Sequence, residues 1–432
     1  MMRRCLLAAA LMHQAAAELL CERTGACTRD REEENSILLH TRLYKANVSK
    51  HVMKMMNFER PPQDYTFDQY VKDFGKKYDP KSGEYAEREQ AFKEALSAVP
   101  WVQAHNADAS KTYKVAINVY SDWTAEELKS LRGLKKMKRE ASAFKVKSLH
   151  LSKDEEYPQK VDWRESSPTV VTPPKNQGHC GSCWAFATTG VVESHAAIHS
   201  GVLTVLSPQQ MVSCAENPEH CGGTGGCDGS TSELAMDYII QHGLTYEEVI
   251  PYESFFGAHV ECSREMELRA AMYKMVTITG WVKTETNLLS DVMHAIVNYG
   301  PLAISVDASG WSPYSSGIAN PCDITGNVDI DARPLKDDHA VGLVGYGEED
   351  GKMYWTVRNS WGATWGENGY IRLERQNDQN YCGMDNTPHH GSACENEPDT
   401  PVKVCGTCGI LYDVSYPTGA RVVGVGSGDV DR

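Results

Sequence analysis

Eleven of the chain's 14 cysteines lie between Cys180 and Cys408, and this crowding constrains the fold more than any other feature of the sequence. In a reducing compartment so many thiols would serve metal sites, whereas on a secretory route they become cross-links between distant parts of the chain. The N-terminus favours the second reading over a frayed terminal helix. Met1-Met2-Arg3-Arg4 is basic, Cys5 to Met12 is a short apolar run, and Ala15-Ala16-Ala17 offers small residues for cleavage, so residues 1–17 are read as a signal peptide. No stretch approaches the ~18 to 20 apolar residues that a membrane span needs. His389, His390, Cys394, Cys405 and Cys408 could be imagined around zinc, but their spacing matches no pair of zinc knuckles, and no metal or other cofactor is expected.

A length of 432 residues suits two or three domains. The formal net charge of -15 argues against nucleic acid, whose phosphates demand clustered Lys and Arg. The charge is also uneven: 27 basic and 23 acidic residues precede Tyr157, against 16 and 35 from Tyr157 onward. A basic front half joined to an acidic back half suggests a segment that docks on its own partner. Between them, Arg132 to Lys147 carries Lys135, Lys136, Lys138, Arg139, Lys145 and Lys147, and reads as an exposed, protease-accessible boundary.

Residues 18–64 are polar and mixed in charge, with one glycosylation sequon at Asn47-Val48-Ser49, and are read as an N-terminal extension. From Tyr65 the pattern turns helical, with Phe67, Tyr70, Val71 and Phe74 on one face before Gly75. A second helix is expected from about Glu84 to Val99, a strand over Tyr113 to Tyr120, and a helix start at Thr124 with Glu127 three residues later. Beyond Tyr157 short helices come first, followed by apolar strand segments such as Leu302 to Val306, Val341 to Val344 and Tyr354 to Arg358. That order predicts one mainly helical lobe and one mainly β lobe.

Three short segments carry chemistry. Gln177-Gly178-His179-Cys180-Gly181-Ser182-Cys183-Trp184 places Cys183 where a helix begins, and unpaired N–H groups there stabilise a thiolate. Asp338-His339-Ala340 puts a histidine at the start of an apolar strand, and Arg358-Asn359-Ser360-Trp361-Gly362 ends another with an amide and an indole. A cysteine and histidine pair needs a third group to orient the imidazole, and an Asn carbonyl does so without adding charge. Singly, Cys183 would be read as half of a disulfide and His339 as a structural histidine. All three segments in this order favour catalysis.

These segments resemble the papain and cathepsin family of cysteine proteases, whose nucleophile signature and Cys, His, Asn order they follow. The resemblance implies an α+β, papain-like two-lobed fold, helical lobe plus β-barrel-like lobe, under a mostly helical inhibitory propeptide. It implies that Cys183 attacks the peptide carbonyl and that His339 protonates the leaving amine. Asn359 would orient His339 beside Trp361, and Gln177 would donate to the oxyanion together with the Cys183 N–H. Glu84, Arg88, Phe92, Val102 and Asn106, then Ala116, Asn118, Tyr120 and Asp122, resemble the two propeptide signatures, and Tyr157 to Arg164 resembles a mature N-terminus. In this family the propeptide crosses the cleft backwards and leaves when acid weakens its docking. The divisions implied are 65–156 for the propeptide, 157–418 for the peptidase with an insertion at about 383–407, and 419–432 for a flexible tail.

The resemblance pairs Cys180 with Cys227, Cys214 with Cys262, and Cys322 with Cys408 in preference to Cys382. Cys221, Cys382, Cys394 and Cys405 are left with three possible connectivities. Gly229, Ser230, Thr231, Ser232, Ser305, Ala340, Trp361 and Asp413 would touch substrate. The small side chains among them predict a wide, polar pocket for the residue two before the cut, with Asp413 at its floor to attract Arg or Lys; were Cys382 the family cysteine, Thr387 would sit there. The implied protein is a monomeric secretory endopeptidase, lysosomal, vacuolar or extracellular, with protein and peptide substrates and its own propeptide as inhibitor. A non-catalytic binding protein on the same fold and an exopeptidase are the alternatives. The four intact site residues oppose the first, and the missing insertion and His pair of dipeptide-releasing relatives oppose the second.

Overall fold

The computed structural model describes residues 65–133, 156–322, 335, 337–378, 380–386, 388 and 400–423. The expected signal peptide, the extension with Asn47, most of the basic linker, His389, His390 and Cys394 lie outside the described residues.

The front segment is a small helical unit built on aromatic packing. Thr66 caps α1 (Phe67–Asp73) in a reciprocal box with Gln69, and Ser82 caps α2 (Gly83–Ser97). The helix expected to end at Val99 is succeeded after Ala98 by a separate one, α3 (Val99–Ala107), because Pro100 is tolerated only in a first turn. Phe67, Tyr70, Phe92 and Ile117 form the core, with the Tyr70 and Phe92 rings 4.6 Å apart. Below it Asp122, wholly buried, accepts from Tyr70 Oη at 3.1 Å, Tyr78 Oη at 2.7 Å and Lys76 Nζ at 2.8 Å. Asp122 therefore ties α1 to the start of α4 (Ala125–Ser130), which Thr124 and Glu127 cap reciprocally.

The strand expected over Tyr113 to Tyr120 is only β1 (Tyr113–Val115). It stops because Asn118 and Ser121 close a turn, Ser121 N donating to Asn118 O at 3.1 Å and Asn118 N to Ser121 Oγ at 2.9 Å.

From Tyr157 onward the chain forms the two lobes. The helical lobe comprises α5 (Cys183–Ser200), α6 (Pro208–Cys214), α7 (Ser232–His242) and α8 (Arg264–Met272). Every residue of α5 from Cys183 to Ala197 is buried, as expected of a helix enclosed on all sides. Gly190 lets Arg358 cross it: a Cβ there would stand 2.4 Å from the guanidinium.

In the β lobe, β2 (Val161–Asp162), β5 (Gly280–Lys283), β6 (Leu302–Val306), β7 (Tyr314–Ala319), β8 (His339–Glu349), β9 (Lys352–Arg358), β10 (Tyr370–Glu374) and β13 (Val414–Thr418) join one sheet. Its order is β1-β7-β10-β9-β8-β6-β13-β5, with β2 against β8. Only β7 and β10 pair in parallel. The edge strand β1 belongs to the front segment, so the segment is seated by backbone pairing as well as by side chains.

Cys180–Cys227 and Cys214–Cys262 are disulfides in the helical lobe, and Cys322–Cys408 is one in the β lobe. Cys382 pairs with Cys405 across the hairpin of β11 (Cys382–Asp385) and β12 (Val402–Cys405), within the expected insertion. Cys221 is also disulfide-bonded, to a partner outside the described residues. With Cys405 and Cys408 both oxidised, the imagined zinc cluster loses two of its three thiolates.

The flexible tail expected from residue 419 does not begin there. Arg421–Val422 forms β14 against β4 (Lys274–Thr277), and Ala420 and Val422 are buried, because these side chains complete the helical lobe's core.

Removing the Asp122 carboxylate would leave the Lys76 ammonium without its counter-charge and Tyr78 Oη without its acceptor, a loss of about 3 kcal/mol. Asp122→Ala is expected to loosen the front segment while the lobes stay folded. Limited proteolysis in a Cys183→Ala background should show faster cutting within residues 65–133 and unchanged resistance beyond 157.

Candidate active site

The site lies where α5 begins, facing β8 and the end of β9. Cys183 is the first residue of α5 and the free thiol among the described residues. Backbone groups of Ala340, Gly133 and Trp184 lie beside its sulfur, and the helix N-terminus favours a thiolate there. Burial outweighs these and pushes the thiol up to about 11.

His339 opens β8, completely enclosed, and its Nε2 meets Asn359 Oδ1 at 2.8 Å. Asn359 Oδ1 also accepts from Ser360 N at 2.8 Å, so it is the amide oxygen that faces the ring. His339 therefore carries its proton on Nε2 and keeps Nδ1, which has no hydrogen-bond partner, as a free base. Trp361 covers this pair, its ring 5.1 Å from the imidazole. Burial drives the imidazole down to about 4, opposed by the Asn359 bond and assisted by the charge of Arg132.

Gln177 is locked from both lobes. Its Nε2 donates to Cys180 O at 2.8 Å and its Oε1 accepts from Ser360 Oγ at 2.5 Å. The same Nε2 donates to Leu131 O at 3.0 Å, so a carbonyl of the front segment already occupies the donor.

The front segment fills this cleft. Leu131 is fully buried, and Arg132 Nη1 lies 3.0 Å from Asp338 Oδ2. Gly133 passes so near the nucleophile loop that a Cβ on it would stand 2.1 Å from Gly181 O, and a Cβ on Gly229 would stand 2.4 Å from Gly133 O. On the approach, Asn118 Nδ2 donates to Ser312 O at 2.5 Å and Tyr120 Oη to Trp361 O at 2.6 Å. Trp123 stacks on His179 with ring centroids 4.0 Å apart and an 11° tilt, and Glu127 Oε1 lies 3.7 Å from His179 Nδ1.

The remaining expected contacts are also placed. Ser230, Thr231 and Ser232 are buried at the start of α7, where the Thr231 side chain caps Leu234 N, while Ser230 Oγ is buried without a partner. Ser305 and Ala340 face each other across β6 and β8. Asp413, expected at the pocket floor to attract Arg or Lys, forms an ion pair with Lys283 and accepts from Ser305 Oγ at 2.7 Å. The sequence offered no signal for Lys283, 130 positions upstream on β5, or for Arg132, Trp123 and His179 as contacts.

A buried thiol at a helix start, opposite an imidazole oriented by an amide and beneath a segment of its own chain, defines a thiol hydrolase held in covered form. The papain family cysteine protease domain matches residues 157–391, and the cathepsin propeptide inhibitor domain matches 67–128. Pro-cathepsin H of Mus musculus is 35% identical over 342 residues, covering 78% of this chain and 90% of that protein. A KDEL-tailed cysteine endopeptidase of Arabidopsis thaliana is 34% identical, covering 77% and 80% respectively. Digestive procathepsin L 3 from Tenebrio molitor larval midgut superposes with a TM-score of 0.62 at 28% identity, over 82% of this chain and 97% of the other. The recombinant stem bromelain precursor gives 0.60 at 29%, with the same coverage. The chain belongs to the papain family of cysteine proteases and is a zymogen carrying its propeptide.

In the covered form the thiol and the imidazole are both neutral at pH 7, with on the order of one thiol in 10⁴ ionised. Alkylation of Cys183 by iodoacetamide at pH 7, followed by mass spectrometry, is expected to be at least 100-fold slower in the zymogen than after removal of residues 1–156.

Proposed function

We propose that the matured protein is a cysteine endopeptidase acting through a thioester. Cys183 attacks the scissile carbonyl after passing its proton to His339 Nδ1, and the carbonyl oxygen becomes an oxyanion. Gln177 Nε2 and the Cys183 N–H stabilise that charge. The imidazolium, held by Asn359 Oδ1, then protonates the departing amine, and water, deprotonated by the same Nδ1, hydrolyses the thioester. The observation that carries this reading is the path of the front segment. Residues 130–133 run from Gln177 past Cys183 to Gly229 as continuous chain, as a substrate cut at an internal bond must. The naming of one relative as an endopeptidase supports it too. The disulfides, four of them between described cysteines, support a secretory route.

Peptides blocked at both ends distinguish the endopeptidase from an exopeptidase, and internally quenched ones should be cleaved by the matured enzyme. Gln177→Ala is expected to lower kcat by roughly 10²–10³-fold with little change in KM, since it removes one oxyanion donor. Cleavage confined to peptides with a free terminus would overturn the endopeptidase reading.

Release of the propeptide follows from His179. Burial beneath Trp123 lowers its imidazole below the usual 6.5, with Glu127 partly offsetting and Arg88 and Lys76 assisting. Protonation therefore favours the undocked form, so this contribution to docking is complete above about pH 6.5 and lost as the pH falls. Glu127 is depressed too, since the Arg88 guanidinium outweighs the effect of burial, but both residues belong to the front segment, so this contribution holds the segment folded and is lost as the pH falls. His179→Gln is expected to flatten the pH dependence of zymogen processing between pH 7 and 5, measured as the rate of propeptide loss on gels.

A further inference from the structure

Behind the pocket wall lies a group of three charges shared between the lobes. Lys283 ends β5, and its Nζ is ion-paired with Asp413 and lies 3.4 Å from Glu233 Oε1. Asp413 is held further by Ser305, whose Oγ donates to its carboxylate at 2.7 Å and whose N donates to its backbone carbonyl at 3.0 Å. Glu233 sits in the first turn of α7, two residues after the Thr231 cap, and Ser305 pairs with Ala340 beside His339. The three charges thus adjoin Ser305 and Thr231, two of the residues that would receive a substrate side chain.

A carboxylate alone at such a floor would draw an arginine or lysine side chain. Here the ammonium reaches Asp413 from within the protein. The carboxylate's partners are already in place, and a second cation would meet Lys283 at close range in a half-buried site where water screens it only in part. Burial would raise the Asp413 carboxyl, but Lys283 first and Ser305 after it hold it down at about 2, so the pair stays ionised. Glu233 behaves oppositely: burial, then Asp413, push it up, so it adds little negative charge under acid conditions.

We propose that Lys283 is the specificity-determining residue of this pocket: by pairing with Asp413 it sets the enzyme to take uncharged side chains two residues before the scissile bond and to refuse Arg and Lys. This rests on the endopeptidase reading and on the pocket assigned above.

The test uses the matured enzyme and two blocked fluorogenic dipeptides that share the residue at the cut and carry Leu or Arg before it. The wild type should favour Leu at least tenfold in kcat/KM. Lys283→Met should raise the Arg-to-Leu ratio at least tenfold, and adding Asp413→Asn should return the ratio to near the wild-type value. Lys283→Arg, which keeps the charge, should leave the ratio within threefold of wild type. Should Lys283→Met fail to fold, Lys283→Gln carries the same expectation. An unchanged ratio in the charge-removing variant overturns the proposal, as does a rise that persists in the double variant, since Asp413 would then not be what draws the cation. Failure of the endopeptidase reading would appear separately, as wild-type enzyme that cleaves neither peptide.

Discussion

Burial of Cys183 beneath its own propeptide is the condition on which the rest of this molecule depends. A thiol at the start of a helix is normally helped toward the thiolate by the helix N–H groups. Here the Ala340 and Trp184 backbone is in place, yet the covering chain removes the water that a separated ion pair would need, and the thiol is pushed up to about 11. The imidazole is driven the opposite way, and Arg132 of the propeptide contributes to that. One short stretch of chain therefore covers Cys183, occupies the Gln177 amide donor and keeps the thiol and the imidazole neutral. Its removal requires no rearrangement of Gln177, His339 or Asn359, which already have the hydrogen bonds that position them.

The cover can be firm without being permanent because its attachments differ in kind. Pairing of β1 with β7 and the bonds from Asn118 and Tyr120 to backbone carbonyls do not titrate in the acid range. The contacts that do titrate gather around α4, where Glu127 joins Arg88 and faces His179. His179 binds a proton more readily once the propeptide has left, and protonating Glu127 breaks its pair with Arg88 inside the propeptide, so acid loosens both the docking contact and the segment that makes it. The joint is the capped start of a six-residue helix, and Thr124 N donates to Glu127 Oε2 at 2.8 Å, so protonating Glu127 also weakens the cap.

Much of this was legible because it is local. The Thr124 cap, the helix after Cys183 and the strands carrying His339 and Asn359 announce themselves through spacing and residue type over a few positions. The failures were equally local in cause. The helix expected to run to Val99 ends at Ser97 and Pro100 sits in the first turn of a new one, and the alternation from Tyr113 to Tyr120 concealed the Asn118 turn. What could not be read was pairing between distant charges. Lys283 ends β5 and Asp413 immediately precedes β13, two antiparallel strands whose register, Ser415 against Lys283, exists only once the sheet has formed. Arg132 meets Asp338 across the cleft, and no periodicity in the chain marks either of them.

The additional cross-link shows why Asp413 can serve as a fixed reference in the site. Residues 405–413 carry little regular structure, and Cys408 itself has a positive φ of 56°, a conformation that an unsupported loop would surrender readily. Cys322–Cys408 anchors the middle of this segment and Cys382–Cys405 its beginning, while Asp307 N donates to Cys408 O at 2.8 Å and Leu411 N to Cys405 O at 3.0 Å. Two covalent ties within four residues leave the loop few alternatives. Its exit into β13 then delivers Asp413 to Ser305 and Lys283 in one register. The cysteines that first marked this sequence as cross-linked thus do more than stabilise it: they hold in place the loop that leads to the carboxylate facing Lys283.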